Sequence, residues 1–171
     1  MVIHTPRLTL VPATTTLVAA ELSSAPDLAT ALDAELPADW PPEHHDSRLL
    51  ERTLESLASG SQSGWDLHYV VWTTEPLRVL VGVCGYKGPP APPSMTVEVG
   101  YSVVPSWRRM GIATEATGGL IDAAWERGAK RVIAHTLPQL EASIGVLTTL
   151  GFVPAPAREA GTIGFELTRA V

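Results

Sequence analysis

The run VEVGYSVVPSWRRMGIATEA, residues 97–116, concentrates the residue types best suited to chemistry. A strand closing at Val104 meets Pro105, which stops ladder pairing, and a tight loop over 107–111 leads straight into a helix. The first amides of a helix have no acceptor within it, and the helix dipole adds partial positive charge there. Gly111 lets the backbone fold closely, so that successive amides converge on one anion. Arg108 and Arg109 add fixed charge, and Ala113 leaves room against the helix start. This is the pattern of a phosphate- or pyrophosphate-binding turn. An ordinary strand–turn–helix with a structural glycine and two solvated arginines fits the same letters. The turn is neither a dinucleotide fingerprint, since no G-x-G-x-x-G follows the strand, nor a P-loop, since Gly-Lys-Ser/Thr is missing.

Other candidates are weaker. His44-His45-Asp46 offers metal-ligating atoms, but adjacent ligands rarely converge and no third partner has suitable spacing, so a polar loop before a capped helix is expected. The lone Cys84 reads as a small buried hydrophobe and excludes a disulfide framework or cysteine metal cluster.

The elements that must position the turn follow from periodicity. Residues 2–11 read as a strand, 14–22 and 26–36 as helices, with Leu28, Leu32 and Leu36 at i, i+4, i+8. Asp46 or Ser47 caps a third helix with Leu50, Leu54 and Leu57 on one face. Residues 60–64 form a Ser/Gly loop, 68–73, 78–86 and 95–104 a strand meander, and 88–94 a Pro-rich connector unable to join a ladder. Then come helix 113–127, strand 130–136, helix 142–150 closed by Gly151, and strand 162–169. The reading is one mixed α/β domain over residues 1–171. A net charge of −6 argues against duplex nucleic acid as partner. No apolar stretch has the length of a signal or membrane span, so a soluble cytoplasmic protein is expected.

Arg108-x-x-Gly111-x-Ala113 resembles the [QR]-x-x-G-x-[GA] acetyl-CoA signature of the GNAT N-acetyltransferases. The branch containing the ribosomal-protein amino-terminal acetyltransferases is especially similar. Its E-x-G-Y strand is matched by Glu98-Val99-Gly100-Tyr101, its A-T-E-A helix start by Ala113-Thr114-Glu115-Ala116, and its first strand by Thr5-Pro6-Arg7-Leu8-x-Leu10. Residues 132–138 and 142–152 resemble the second half of the motif.

The resemblance implies a GNAT-like α+β fold with a splayed mixed sheet, acetyl-CoA as co-substrate, no metal, and a primary amine as acceptor. The acceptor would be a small amine or a peptide N-terminus; charge and apolar run length argue against a nucleic-acid or membrane partner, and the oligomeric state is open, with a homodimer the frequent default. The pantetheine arm would bond main-chain groups of Tyr101, Ser102, Val103 and Val104, with the acyl carbonyl polarised by an N–H near Val103. The pyrophosphate would meet amides of Arg109, Met110, Gly111, Ile112, Ala113 and Thr114, beside Arg108. Ser143 is the implied acid, facing the cofactor sulphur, and Glu98 the implied base, with Glu159 a second candidate and His135 close to the cleft. A capping hydroxyl and a paired carboxylate are the plain readings of Ser143 and Glu98. Trp40 would wall the acceptor pocket, against ordinary packing or a dimer contact, and Trp107 would brace the loop or touch the nucleotide. One departure stands out: Leu140 replaces the family's Asn three residues before the serine, and Gln139 is its neighbour. The competing classes are a CoA-binding domain without turnover and an interaction module using residues 89–93.

Overall fold

A computed structural model describes residues 1–60 and 64–169. Residues 61–63 of the expected Ser/Gly loop lie outside the described residues. The chain runs β1 (Ile3–His4), β2 (Leu8–Pro12), α1 (Thr15–Ser23), α2 (Ala25–Leu32), α3 (Ser47–Ser59), β3 (Leu67–Trp72), β4 (Val79–Tyr86), β5 (Thr96–Val103), α4 (Ile112–Glu126), β6 (Arg131–Thr136), α5 (Glu141–Thr149), β7 (Val153–Ala155) and β8 (Ile163–Thr168). Among the described residues eight strands form one mixed sheet, ordered β1-β2-β3-β4-β5-β6-β8-β7. Every pairing is antiparallel except β5 with β6, which α4 joins as the long crossover a parallel pair requires.

Apolar residues on both faces of the central strands fill two cores. One packs Val81, Cys84, Val97, Val99 and Val103 against Ile112, Ala116 and Leu120 of α4. The other packs Tyr69, Val71, Leu80 and Val83 against Val18, Leu28, Leu32 and Leu50 of α1–α3. A register shift opposite Val70/Val71 adds a residue to β4. That extra residue allows Val81 and Cys84, an odd number apart, to share one face. At Gly82 an added Cβ would run into the Ser102 carbonyl, so only glycine lets β4 lie this close to β5.

Several boundaries differ from the sequence reading. The first strand is broken by a turn at Thr5-Pro6-Arg7, closed by the Thr5 amide on the Leu8 carbonyl at 2.9 Å, which folds β1 back onto β2. Helix α2 stops at Leu32, because Asp33 adopts a left-handed conformation at φ 49° and caps the helix with its own amide. The Pro-rich connector does reach the sheet through an Ala91–Thr96 bridge, because Ala91 keeps the peptide N–H its proline neighbours lack. Pro105–Trp107 forms a turn of 3-10 helix, and β7, with three residues around Pro154, is too short to leave a periodic signal. His45 is buried rather than in a polar loop, because its Nε2 bonds the buried Glu21 carboxylate at 2.8 Å. No described helix is long and apolar enough to cross a membrane.

Candidate active site

Strands β5 and β6 pair only from Thr96–Arg131 to Glu98–Ile133, and beyond that point they part. The alternation of an antiparallel ladder decides which groups of β5 are left over. The Glu98 carbonyl accepts from Lys87 at 2.9 Å and the Val104 amide donates to Val81 at 3.0 Å, so even-numbered residues are bonded to β4. Tyr101 and Val103 turn their amides into the gap that β6 has left, whereas the Glu98–Ile133 pairing keeps the Val99 amide in the β5–β6 ladder. Ser102 and Val104 therefore differ from the expectation, since Ser102 is paired with β4, the Val104 amide donates to Val81 and the Val104 carbonyl accepts from the Trp107 amide at 3.0 Å. The Val103 carbonyl is also occupied, by Arg108 Nε at 3.0 Å.

The gap leads to the turn before α4. Gly111 is the N-cap, at φ 77°, and Arg109 is likewise left-handed at φ 64°. The first bond of the helix runs from the Glu115 amide to the Gly111 carbonyl at 2.9 Å. Among the described residues the amides of Arg109, Met110, Gly111, Ile112, Ala113 and Thr114 have no acceptor. Arg108 pairs with Glu43 at 3.3 Å, so it braces the turn; Arg109 is exposed and has no acidic partner among the described residues.

Side chains from distant segments hold this turn. Glu115 accepts from the Thr5 hydroxyl at 2.6 Å, the Arg7 amide at 2.7 Å and Arg7 Nε at 2.6 Å. Burial opposes ionisation of Glu115, but these donors outweigh it and its pKa falls below the usual carboxylate value. The Arg7 guanidinium lies beside Gly111 and 5.3 Å over Trp72, whose ring meets Trp107 at 5.4 Å. Trp107 thus braces the loop. Asp39 accepts from the Ser106 amide at 2.7 Å and the Ser106 hydroxyl at 2.8 Å, which ties the loop after α2 to the same turn. Sequence reading missed Arg7 and Asp39 as parts of the site. Trp40, in that loop, donates its indole N–H to Glu21 at 3.2 Å and packs on the α1–α3 core.

Ser143 and Glu98 flank the gap from opposite faces. Tyr101 extends on the α4 side, where its hydroxyl lies 3.0 Å from Ser143 Oγ and 3.1 Å from the Ser143 carbonyl. Burial raises the Tyr101 pKa, with the Ser143 bond acting the other way. Ser143 thus caps no amide, and Leu140, the N-cap residue, makes no side-chain bond there either. Glu98, three residues from Tyr101, projects from the other face, as strand alternation requires. Its Oε1 meets Lys87 Nζ at 2.6 Å and His135 Nδ1 at 3.0 Å, and Lys87 continues to Glu159 at 3.0 Å. The Arg158 amide donates to His135 Nε2 at 3.2 Å, so Nε2 is bare and Nδ1 carries the proton given to Glu98. Ligand atoms of Glu98, His135 and Glu159 lie within 4.8 Å of one another, but Lys87 sits among them and supplies the counter-charge. Gly100, beside Glu98 on that face, has open space where a side chain would stand. Burial raises the pKa of Cys84 far above its usual value, which leaves it an inert thiol.

A model of the acetyltransferase (GNAT) domain family matches residues 7–153. Comparison with curated proteins finds no match. The fold is shared with ribosomal-protein-S5-alanine acetyltransferase from Vibrio fischeri, at 19% identity and a TM-score of 0.69, covering 98% of this chain and 96% of that one. It is also shared with Mycobacterium smegmatis RimJ in complex with CoA-disulfide, at 16% identity and a TM-score of 0.62, covering 98% and 86%. A third is the microcin C7 self-immunity acetyltransferase in complex with acetyl-CoA and AMP, at 15% identity and a TM-score of 0.62, covering 96% and 93%.

Proposed function

The chain belongs to the GNAT acetyltransferase family, and from that premise we propose that it moves an acetyl group from acetyl-CoA to a primary amine, small or at a protein N-terminus, by direct attack within a ternary complex. The observation that carries this reading is the set of main-chain groups facing the gap, the Tyr101 peptide groups and the Val103 amide, together with the free amides of residues 109–114 at its end. An extended amide-bearing arm can add to the free edge of β5 as a further strand would, and a diphosphate can accept from the amides at the start of α4. The residues present fit such a donor. Neighbours of the same fold hold CoA-disulfide and acetyl-CoA.

Acetyl-CoA supplies an activated thioester, and the protein supplies alignment and proton handling. The Val103 amide is available to polarise an acyl oxygen, and Ser143 has a hydroxyl at the gap for the departing sulphur. Glu98 borders the side from which an amine would approach over Gly100, and its oxygen already receives N–H donors from Lys87 and His135. It is our base, directly or through water, with Glu159 behind Lys87 as the second carboxylate. The ribosomal-protein acetyltransferase among the neighbours makes a protein N-terminus a reasonable first acceptor to assay.

Leu140 favours a second reading, a CoA-binding domain without turnover. It is 40% exposed at the N-cap of α5 and has no side-chain amide to offer. Titration calorimetry with acetyl-CoA followed by CoA release across amines and peptides separates the two. Binding with release supports the enzyme; binding with no release from any acceptor supports the second reading; absence of binding removes both.

A further inference from the structure

We infer that Tyr101 is a positioning residue for the departing sulphur: its hydroxyl aims and polarises the Ser143 hydroxyl, forming a hydrogen-bond chain Tyr101–Ser143–sulphur. This rests on the acetyl-transfer reading above and assigns a role that the reading leaves empty.

The argument begins from proton counting. One phenolic O–H lies 3.1 Å from the Ser143 carbonyl and 3.0 Å from Ser143 Oγ. The carbonyl can only accept. If the phenol gave its proton wholly to that carbonyl, the serine proton would turn to the phenol oxygen and away from the gap. When the phenol donates to Oγ, the serine proton is free for a third atom. An anionic acceptor in the gap selects this second arrangement, because each bond in such a chain strengthens the next. Both oxygens are fixed from behind. Tyr101 extends from β5, whose even-numbered neighbours are locked to β4, and Ser143 stands in the first turn of α5, so neither depends on a loop. The ionisable groups on the surrounding elements are Cys84 and Tyr86 on β4, Glu98 on the opposite face of β5, Glu115, Asp122 and Glu126 on α4, Arg131 and His135 on β6, and Glu141 on α5. None of them bonds either hydroxyl.

Burial raises the Tyr101 pKa, so the phenol stays protonated throughout. The chain therefore stabilises negative charge on sulphur without net proton loss from the protein. As the nitrogen–carbon bond forms and the carbon–sulphur bond breaks, the electron pair goes to sulphur. The proton that finally neutralises it is the one released by the amine.

The test needs no acceptor. The ionisation of the CoA thiol is followed by ultraviolet titration, free and bound to wild type, Tyr101→Phe, Ser143→Ala and the double variant. The bound thiol is expected to be more acidic than the free one. Tyr101→Phe should make it about tenfold less acidic, the size of one hydrogen bond to a charge. Ser143→Ala should lose at least as much, and the double variant no more than Ser143→Ala alone. Should Tyr101→Phe fail to fold, site-specific 3-fluorotyrosine at position 101, a stronger donor of the same shape, should make the bound thiol more acidic than in wild type, and equal acidity would overturn the chain. Unchanged thiol acidity in Tyr101→Phe, effects that add in the double variant, or a wild-type bound thiol no more acidic than free CoA would each overturn the chain while leaving CoA binding intact. Failure of wild type to bind CoA would instead remove the acetyl-transfer reading.

Discussion

The turn before α4 and the charged group around Glu98 stand at two sides of one strand and are built on opposite principles. At the turn the backbone offers donors and keeps none of them satisfied: six successive amides, from Arg109 to Thr114, lack an acceptor among the described residues. Around Glu98 the side chains answer one another, with Lys87 between two carboxylates and both nitrogens of His135 engaged. The first is ready for an anion without rearrangement. The second already holds an ammonium of its own, that of Lys87. Under the acetyl-transfer proposal the common donor meets rigid main chain, and the acceptor meets side chains that can be displaced.

Substitutions on either side test this contrast. The largest effect belongs to Glu98→Gln, which should lower kcat about a hundredfold or more while calorimetric affinity for acetyl-CoA holds. An unchanged kcat would take Glu98 out of the chemistry and make the group around it merely structural. Next comes Gly111→Val. A β-branched residue at φ 77°, facing the Arg7 guanidinium at 3.3 Å, distorts the turn and should weaken acetyl-CoA binding about ten- to hundredfold, from strain of about 1–3 kcal/mol. Equal affinity would show that the amides are not the grip.

Glu115→Gln acts on the frame instead. Removing the charged acceptor of Thr5 and Arg7 should cost about 1–3 kcal/mol in urea unfolding at neutral pH. Because the folded Glu115 pKa lies below its unfolded value, its contribution is complete above the unfolded pKa and fades as pH falls through the folded one. The wild type should lose more stability across that acidic window than the Gln variant, which keeps the contributions of Asp39 and Glu159 but not that of Glu115. The smallest effect is that of Lys87→Met. Relieved of its internal ammonium, the Glu98–Glu159 pair should lower KM for a cationic amine several-fold, in keeping with a half-exposed ion pair. A raised KM would mean that Lys87 orders the carboxylates rather than competing for them.

Local features of the site were legible because they are short-range. Gly111 after a β-rich run, the apolar spacing of α4, and the Glu98–Tyr101 strand each leave a pattern within a few residues. The partners of those features did not. Arg7 and Glu115 are separated by 108 positions, Asp39 and Ser106 by 67, and neither pair lies on a periodic stripe that announces the other. The sequence leaves Glu98 as a base or a paired carboxylate, and the identity of its partners, Lys87 and His135, depends on the β4–β5 register and on where β6 runs. Which peptide groups of residues 101–104 face the gap is a matter of ladder phase, fixed only once Lys87 is seen opposite Glu98. Asp33 ended α2 four residues early by adopting a conformation that no hydrophobic spacing encodes.

The segment after α2 grips the α4 turn at two points, Asp39 on Ser106 and Glu43 on Arg108, while its own Trp40 is anchored to Glu21 on α1. Occupancy on one side thus has a mechanical route to the other. If a ligand that shifts this segment changes the affinity of the turn, thermodynamic reciprocity requires a ligand at the turn to change the affinity of the segment by the same factor.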